Sequence, residues 1–276
     1  MNTEAGDVPT AQDTVENASV GAVRYEIDGR VAHIVLNRPS KMNAIGRSVL
    51  GGIREAVFCA ESDPAVKVII VRGEGRAFSA GGDLDEVSAL VRDSPEFDRF
   101  LDYWHETLIL LERCPLPTIA AVHGVAFAGG FEVTQACDFV VMGDETKIGD
   151  QHANFGLFPA GGSTQRLPRL VGPRTAKWML MTGAAIGPAT ALASGLVNEV
   201  VPEADVLARA KVMAAVLAGK SMSASAAIKA AVSIGADLPL RDAIDAERQI
   251  ALRHMASEDV QTGLAAFRSR ATPEFD

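Results

Sequence analysis

The sequence predicts an α/β fold followed by a helical region that lacks strands. Short apolar runs of strand length alternate with segments whose apolar residues recur at helical spacing. Glycine pairs stand where such strands pass into helices, and beyond Val201 the segments are alanine-rich and amphipathic. We therefore expect a core over residues 21–201 and a helical region over residues 202–276.

The predicted elements of the core follow one another with short links. Two alternating runs flank Asp28-Gly29, a turn pair typical of a β-hairpin. The segment "GRSVLGGIREAVFCAES" has helical spacing, and the nearly all-apolar "VKVIIVRG" indicates a buried strand. A helical stretch then reaches Cys114. The strand "PTIAAVHG", a glycine turn, a helix and the strand "CDFVVMG" complete the pattern.

The two ends of the chain differ from this core. Residues 1–20 are acidic and polar, with little to bury, so we expect a disordered extension. Near the other end, "ADVLARAKVMAAVLAG", "SASAAIKAAVSIG" and "LRDAIDAERQIALRHMA" read as amphipathic helices. A tail of this kind either caps the same core or packs on a partner chain.

Composition excludes several classes of protein. A net charge of −9 argues against a nucleic-acid surface, although a local basic pocket for a phosphorylated ligand remains compatible with it. The 3 cysteines are few and scattered, which indicates a reduced, cytoplasmic protein. No apolar run reaches the ~18 residues of a membrane helix, and no signal peptide is evident.

Two glycine turns are the first candidates for a functional site. In "FSAGGDLDEV", Asp83 and Glu86 have capping-box spacing, so a helix should begin at Asp83, with Gly82 just before it. In "GVAFAGGFEV", Gly129 opens a helix that carries Glu132 in its first turn. We call "FSAGG" the first glycine turn and "AFAGG" the second. Amides at such positions lack partners, and two that converge would form an oxyanion hole. The alternative is two ordinary strand-to-helix turns, with Glu132 favoured only by the helix dipole.

Four segments together indicate a family: "NRPSKMNAI", "GRAFSAGGDLDEV", "AAVHGVAFAGGFEVTQACDFVV" and "GLFPAGGSTQRLPRLVG". From about Ala22 to Phe275 the chain resembles the enoyl-CoA hydratase/isomerase family, the crotonase superfamily. The resemblance implies a spiral of repeated ββα units, then helices that build homotrimers or hexamers. It also implies an acyl-CoA thioester substrate, with coenzyme A present only as part of that substrate.

The resemblance assigns roles in the chemistry. The backbone N–H groups of Gly82 and Gly129 would hold the thioester oxygen, and Glu132 matches the first of two hydratase glutamates. In "KIGDQHANFGLFPAGG", His152 occupies the place of the second glutamate. Asp150 can act as a second acid or orient His152, while a purely structural loop histidine is the alternative.

Replacement of that glutamate by His152 leaves three reactions open. Glu132 as base and His152 as proton donor would hydrate a 2-enoyl-CoA, and a charged imidazole should favour the charged form of Glu132. A single base would instead shift a double bond. An imidazole that activates water would hydrolyse the thioester or cleave a C–C bond. A non-catalytic CoA-binding protein that kept the fold is a further reading.

The resemblance also indicates how coenzyme A is bound. Backbone groups from Phe78 to Ala80 would hold the adenine, and Asp85 stands where some hydratases carry a lysine. The candidates for the phosphates share a positive charge, although each can equally be a solvated surface charge: Lys41, Arg38, Arg268 and Arg270.

The acyl group would meet apolar side chains that can equally be plain core. These candidates flank the two glycine turns or face them: Leu84, Val87, Trp104 and Phe131. No His, Cys and carboxylate cluster has metal spacing, so no metal is expected. A dehalogenase of the family would carry an aspartate near position 160, and Ala160 argues against it.

Overall fold

The computed structural model describes residues 21–275, so the predicted N-terminal extension lies outside the described residues. The strands are short, and most of them are buried: β1 (Val23–Asp28), β2 (Val31–Leu36), β3 (Val68–Gly73), β4 (Thr118–Val122), β5 (Val125–Phe127), β6 (Phe139–Gly143), β7 (Lys147–Gly149) and β8 (Glu199–Val201).

Helices separate the strands and fill the C-terminal part. In chain order they are α1 (Arg47–Ser62), α2 (Leu84–Leu90), α3 (Ser94–Arg113), α4 (Gly129–Ala136), α5 (Ser163–Val171), α6 (Pro173–Thr182), α7 (Pro188–Ala193), α8 (Val206–Ala218), α9 (Met222–Gly235), α10 (Leu240–His254) and α11 (Glu258–Ser269). Within residues 21–275, no helix has both the length and the apolar character needed to cross a bilayer.

A six-stranded sheet forms the centre of the molecule, with strand order β1-β2-β3-β4-β6-β8. Only β1 and β2 pair antiparallel, across the predicted turn at Asp28-Gly29, where Gly29 has a φ of +60°. The other neighbours are parallel. Two hydrophobic clusters cover the two faces of β3 and β4, which explains why these strands read as unbroken apolar runs. The predicted α/β class is confirmed.

Short extended segments form a second, smaller layer beside the sheet. β5 pairs with β7, and single bridges join Ser79 to Ala126 and Ile45 to Gly82. Several units therefore give one strand to the large sheet and one short extended piece to the second layer before a helix begins. This arrangement is the spiral of ββα units, and it brings the two glycine turns side by side.

Helix α8, the first helix beyond the predicted boundary at residue 201, packs on the core. Val206, Ala210 and Ala214 of α8 pack against Ile70 and Ile119 of the sheet, so this helix caps the core itself. Helix α9 is joined to the core by a polar contact, since Lys229 Nζ lies 2.7 Å from Asp138 Oδ2. The last three helices expose large apolar side chains: Ile228, Val232, Leu240, Ile244, Leu252 and Phe267.

Candidate active site

The two glycine turns are held together by backbone hydrogen bonds. Ser79 N donates to Val125 O at 3.1 Å, and Phe127 N donates to Ser79 O at 2.9 Å. A Cβ built on Gly129 would lie 3.4 Å from Gly82 N, so the two turns meet at their glycines. Neither the Gly82 nor the Gly129 N–H donates to another group within residues 21–275. Two neighbouring unpaired amides are the donors that an oxyanion hole requires.

Backbone strain at Ala128 fixes the second of these amides. Ala128 has φ +46° and ψ −118°, a region that residues with a side chain rarely adopt. Its N–H donates to Gly149 O at 3.0 Å, and its carbonyl accepts from Glu132 N at 3.0 Å. The surrounding structure thus imposes a conformation that costs roughly 1–3 kcal/mol, as is common at functional sites. Nothing in the sequence pattern indicated this strain.

Glu132 lies directly behind the second glycine turn, in a helix whose residues are all buried. The side chain is only 2% exposed, and Oε1 accepts a long hydrogen bond of 3.4 Å from Ser163 N. Burial raises the pKa of Glu132 to about 7, against the opposing charge of His152. The imidazole acts in the expected direction, because its charge favours the charged carboxylate, but desolvation outweighs it. Glu132 can take up and release a proton near neutral pH.

His152 and Asp150 form a pair close to Glu132. The Nδ1 atom of His152 lies 2.8 Å from Oδ1 of Asp150, which is fully buried. Gln151 between them has φ +62°, which turns the chain so that both flanking side chains meet. Burial tends to lower the pKa of His152, but the hydrogen bond and charge of Asp150, aided by Glu132, raise it above its ordinary value. Asp150 thus supports a charged imidazole whose Nε2 has no partner in the described chain.

The basic candidates for phosphate binding are partly engaged with carboxylates. Lys41 Nζ lies 3.0 Å from Asp85 Oδ2, and Arg38 lies 2.7 Å from Asp83 Oδ2. Helix α2 begins after Asp83 as predicted, but the predicted capping hydrogen bond is absent because the carboxylate turns to Arg38. Arg268 is exposed on α11, and no ion pair involves it in the described region.

The backbone groups proposed for adenine are mostly occupied. Phe78 is buried and its N–H donates to His123 O, while Ala80 N donates to Met42 O. Ala80 is exposed, and its carbonyl accepts no hydrogen bond from residues 21–275. That carbonyl is therefore the group of this segment that remains available to a ligand.

The acyl-pocket candidates fall into different environments. Leu84 is 62% exposed, and a Cβ on Gly82 would lie 3.8 Å from Val87 Cγ2, so Val87 stands beside the first amide. Phe131 is 1% exposed and packs in the main core. The ring of Trp104 lies against Gly129, where a Cβ would come within 2.6 Å of its Cη2.

A large cleft lies apart from these residues. A cleft of about 1130 Å³ opens between α3, α5 and α9, lined by His105, Arg166 and Lys229 among others. Neither Glu132 nor the two unpaired amides belong to its lining, so this cleft is separate from the candidate site. Within residues 21–275, no three His, Cys, Asp or Glu side chains group together as metal ligands.

Residues 26–276 match the family model described as enoyl-CoA hydratase/isomerase. The chain belongs to this family. It is 34% identical to a probable enoyl-CoA hydratase of Mycobacterium tuberculosis, over 92% of this chain and 97% of that protein. It is also 34% identical to a crotonyl-CoA hydratase of Syntrophomonas wolfei, over 91% of this chain and 96% of that protein.

Solved structures agree with this family assignment. An enoyl-CoA hydratase of Geobacillus kaustophilus, 33% identical, superposes with a TM-score of 0.89 over 94% of this chain and 98% of that one. The predicted crotonase-like fold is thereby confirmed, and the protein is an enzyme of the hydratase/isomerase family.

Proposed function

We propose that the protein adds water to the double bond of a 2-enoyl-CoA thioester, using a Glu/His pair. The observation that carries this proposal is the buried Glu132, with a pKa of about 7, close to His152 and beside two unpaired amides. A proton acceptor and a proton donor near neutrality are what addition of water across a double bond requires. The hydratase names of its relatives support the same reaction.

The proposed mechanism assigns one task to each group. The N–H groups of Gly82 and Gly129 donate to the thioester oxygen and stabilise the enolate that forms there. Glu132 takes a proton from water while the water oxygen bonds to C3, and the π electrons move toward the thioester oxygen. The enolate then collapses as C2 takes a proton from His152. Both side chains return to their starting states by exchange with solvent.

In this mechanism Asp150 is a positioning residue. Its carboxylate accepts from Nδ1 of His152 at 2.8 Å, which leaves Nε2 to carry the proton toward the substrate. The same pair favours a second candidate function, hydrolysis of the thioester, because an imidazole backed by a buried carboxylate can also activate water.

Incubation of 2-enoyl-CoA thioesters with the protein in heavy water tests the proposal. Short, branched and aromatic acyl groups should all be included, and the products analysed by mass spectrometry. Hydration gives a product heavier by one heavy water. Deuterium exchange without addition contradicts hydration and indicates a proton shift only. Release of free coenzyme A indicates the hydrolase, while binding without any turnover indicates a non-catalytic protein.

We further propose that the protein is cytoplasmic and that it self-associates through its last three helices. The exposed apolar side chains of α9, α10 and α11 support self-association. The unpaired cysteines of the chain fit a reducing compartment such as the cytoplasm. Sedimentation gives the test: a mass near that of one 29.0 kDa chain would contradict a trimer or hexamer.

The acyl-CoA phosphates would bind near Lys41 and the adenine near Ala80, whose carbonyl accepts no hydrogen bond from residues 21–275.

A further inference from the structure

Trp104 carries a buried donor that the proposed mechanism has not used. The residue lies on α3 and is 5% exposed. Its indole Nε1 is buried and makes no hydrogen bond within residues 21–275. A buried N–H without a partner destabilises a fold, so its retention needs an explanation.

The indole nitrogen faces the same small space as the Glu132 carboxylate. A Cβ built on Gly161 would collide with both Trp104 Nε1 and Glu132 Oε2. The absence of a side chain at Gly161 therefore lets a donor and a proton acceptor lie close together beside its backbone. No hydrogen bond joins these two atoms directly. Pairing of the buried indole N–H therefore requires a polar atom that the described chain does not supply.

The rest of the indole reaches the oxyanion hole. Its Cη2 and Cζ2 atoms would lie 2.6 Å from a Cβ on Gly129, so only glycine fits beneath the ring. Phe100 packs edge-on against the indole, with ring centroids 5.8 Å apart, which restrains its orientation. One rigid side chain thus extends from the second amide to the proton acceptor.

We propose that the indole N–H of Trp104 donates a hydrogen bond to the oxygen atom that Glu132 handles. That oxygen belongs to the water before addition and to the 3-hydroxyl group afterwards. One lone pair of the water oxygen accepts from Trp104, a second attacks C3, and one O–H points to Glu132. Trp104 is thereby a catalytic residue that recognises 3-hydroxyacyl thioesters, an inference that rests on the proposed hydration.

Paired binding measurements isolate this hydrogen bond. We would compare 3-hydroxybutyryl-CoA with butyryl-CoA, which lacks the hydroxyl, on wild-type protein and on Trp104→Phe by calorimetry. The proposal predicts about tenfold weaker binding of the hydroxy thioester and less than about threefold for the saturated one, the penalty of losing one hydrogen bond. Equal changes for both thioesters, or no change, would overturn it.

Trp178 supplies a matched control. It is 67% exposed on α6, so Trp178→Phe should leave both affinities unchanged. The chain has 2 tryptophans, so Trp104 is the remaining one in this variant. It can then be replaced selectively by benzothienylalanine, in which a sulfur atom takes the place of the N–H in a ring of the same shape. The analogue should show the same selective loss without a packing defect. Full affinity for the hydroxy thioester in this protein would overturn the proposal.

Kinetics separate this inference from the proposed function. If crotonyl-CoA is hydrated, Trp104→Phe should lower kcat about tenfold or more and leave KM nearly unchanged, whereas an unchanged kcat would overturn the role. If wild-type protein hydrates no thioester, the proposed function fails. The binding comparison then still decides whether Trp104 recognises an oxygen on C3.

Discussion

The two glycine turns have the same backbone design and different side-chain chemistry. Each presents an unpaired amide where a helix begins. The first leads into α2, a surface helix of 7 residues in which none is buried. The second leads into α4, whose 8 residues are all buried and include Glu132. The difference supports the proposal that both turns bind the thioester oxygen, while proton transfer belongs to the second.

The carboxylates beside the two turns differ in the same way. Asp83 is largely buried, but the hydrogen bond and charge of Arg38 outweigh desolvation and hold its pKa below the ordinary value. Glu132 has no cationic partner within ion-pair distance among the described residues, and burial raises its pKa to about 7. One carboxylate is fixed as a structural anion, and the other remains able to exchange a proton.

Alanine substitutions at Gly82 and Gly129, the glycines with unpaired amides, should have unequal effects. In Gly129→Ala the new Cβ would meet the Trp104 ring at 2.6 Å, so the amide and the ring must shift. In Gly82→Ala it would meet only Val87 Cγ2, at 3.8 Å. We expect kcat for crotonyl-CoA hydration to fall about 10²–10³-fold in the first variant and less than about tenfold in the second. Equal losses would contradict this steric difference between the turns.

Removal of the imidazole should change both the rate and its pH dependence. His152→Asn deletes the proton donor, so kcat should fall about 10²-fold at neutral pH. In wild-type protein the rate should rise as Glu132 loses its proton near pH 7 and fall above the raised pKa of His152. The charge of His152 lowers the pKa of Glu132, so its loss should move the acidic limb to higher pH. An acidic limb that does not move would contradict the coupling of the two groups.

Neutralising the two carboxylates should change stability in opposite directions. The pKa of Glu132 is raised on folding, so its destabilising effect grows as pH rises from about 4.5 to 7. At pH 8, Glu132→Gln should therefore increase the free energy of unfolding, by on the order of 3 kcal/mol. The pKa of Asp83 is lowered, so its stabilisation is fully present at pH 8. Asp83→Asn should remove about 1–2 kcal/mol. Urea unfolding measures both, and changes of the same sign would refute the contrast.

The sequence predicts the parts of this site that depend on local pattern. The hairpin at Asp28-Gly29, the apolar parallel strands and the helix starts after Gly82 and at Gly129 all follow from residue type and spacing. Family motifs indicated Glu132 and His152. Two other features depend on contacts between residues far apart in the sequence, which periodicity does not indicate. They are the packing of α8 on the sheet and the set of atoms around Glu132.

Three features of the site could not be predicted from the sequence, because each depends on contacts between residues far apart in the chain. The pKa of Glu132 depends on burial by several separate elements, and the neighbouring charge alone does not indicate how strongly desolvation opposes it. The strained dihedral angles of Ala128 are imposed by hydrogen bonds with Gly149 and Glu132. The unpaired indole of Trp104 becomes evident only when α3 is placed against Gly161 and Gly129.

The most direct test of proton transfer at the second turn is the rate of crotonyl-CoA hydration by wild-type protein and by Glu132→Gln. Mass spectrometry in heavy water should show a product heavier by one heavy water with the wild-type protein. The glutamine variant should be at least about 10³-fold slower while it still binds butyryl-CoA, because the amide keeps the shape and loses the base. Hydration at the wild-type rate by Glu132→Gln would contradict the assignment and reduce Glu132 to a buried carboxylate at a helix start.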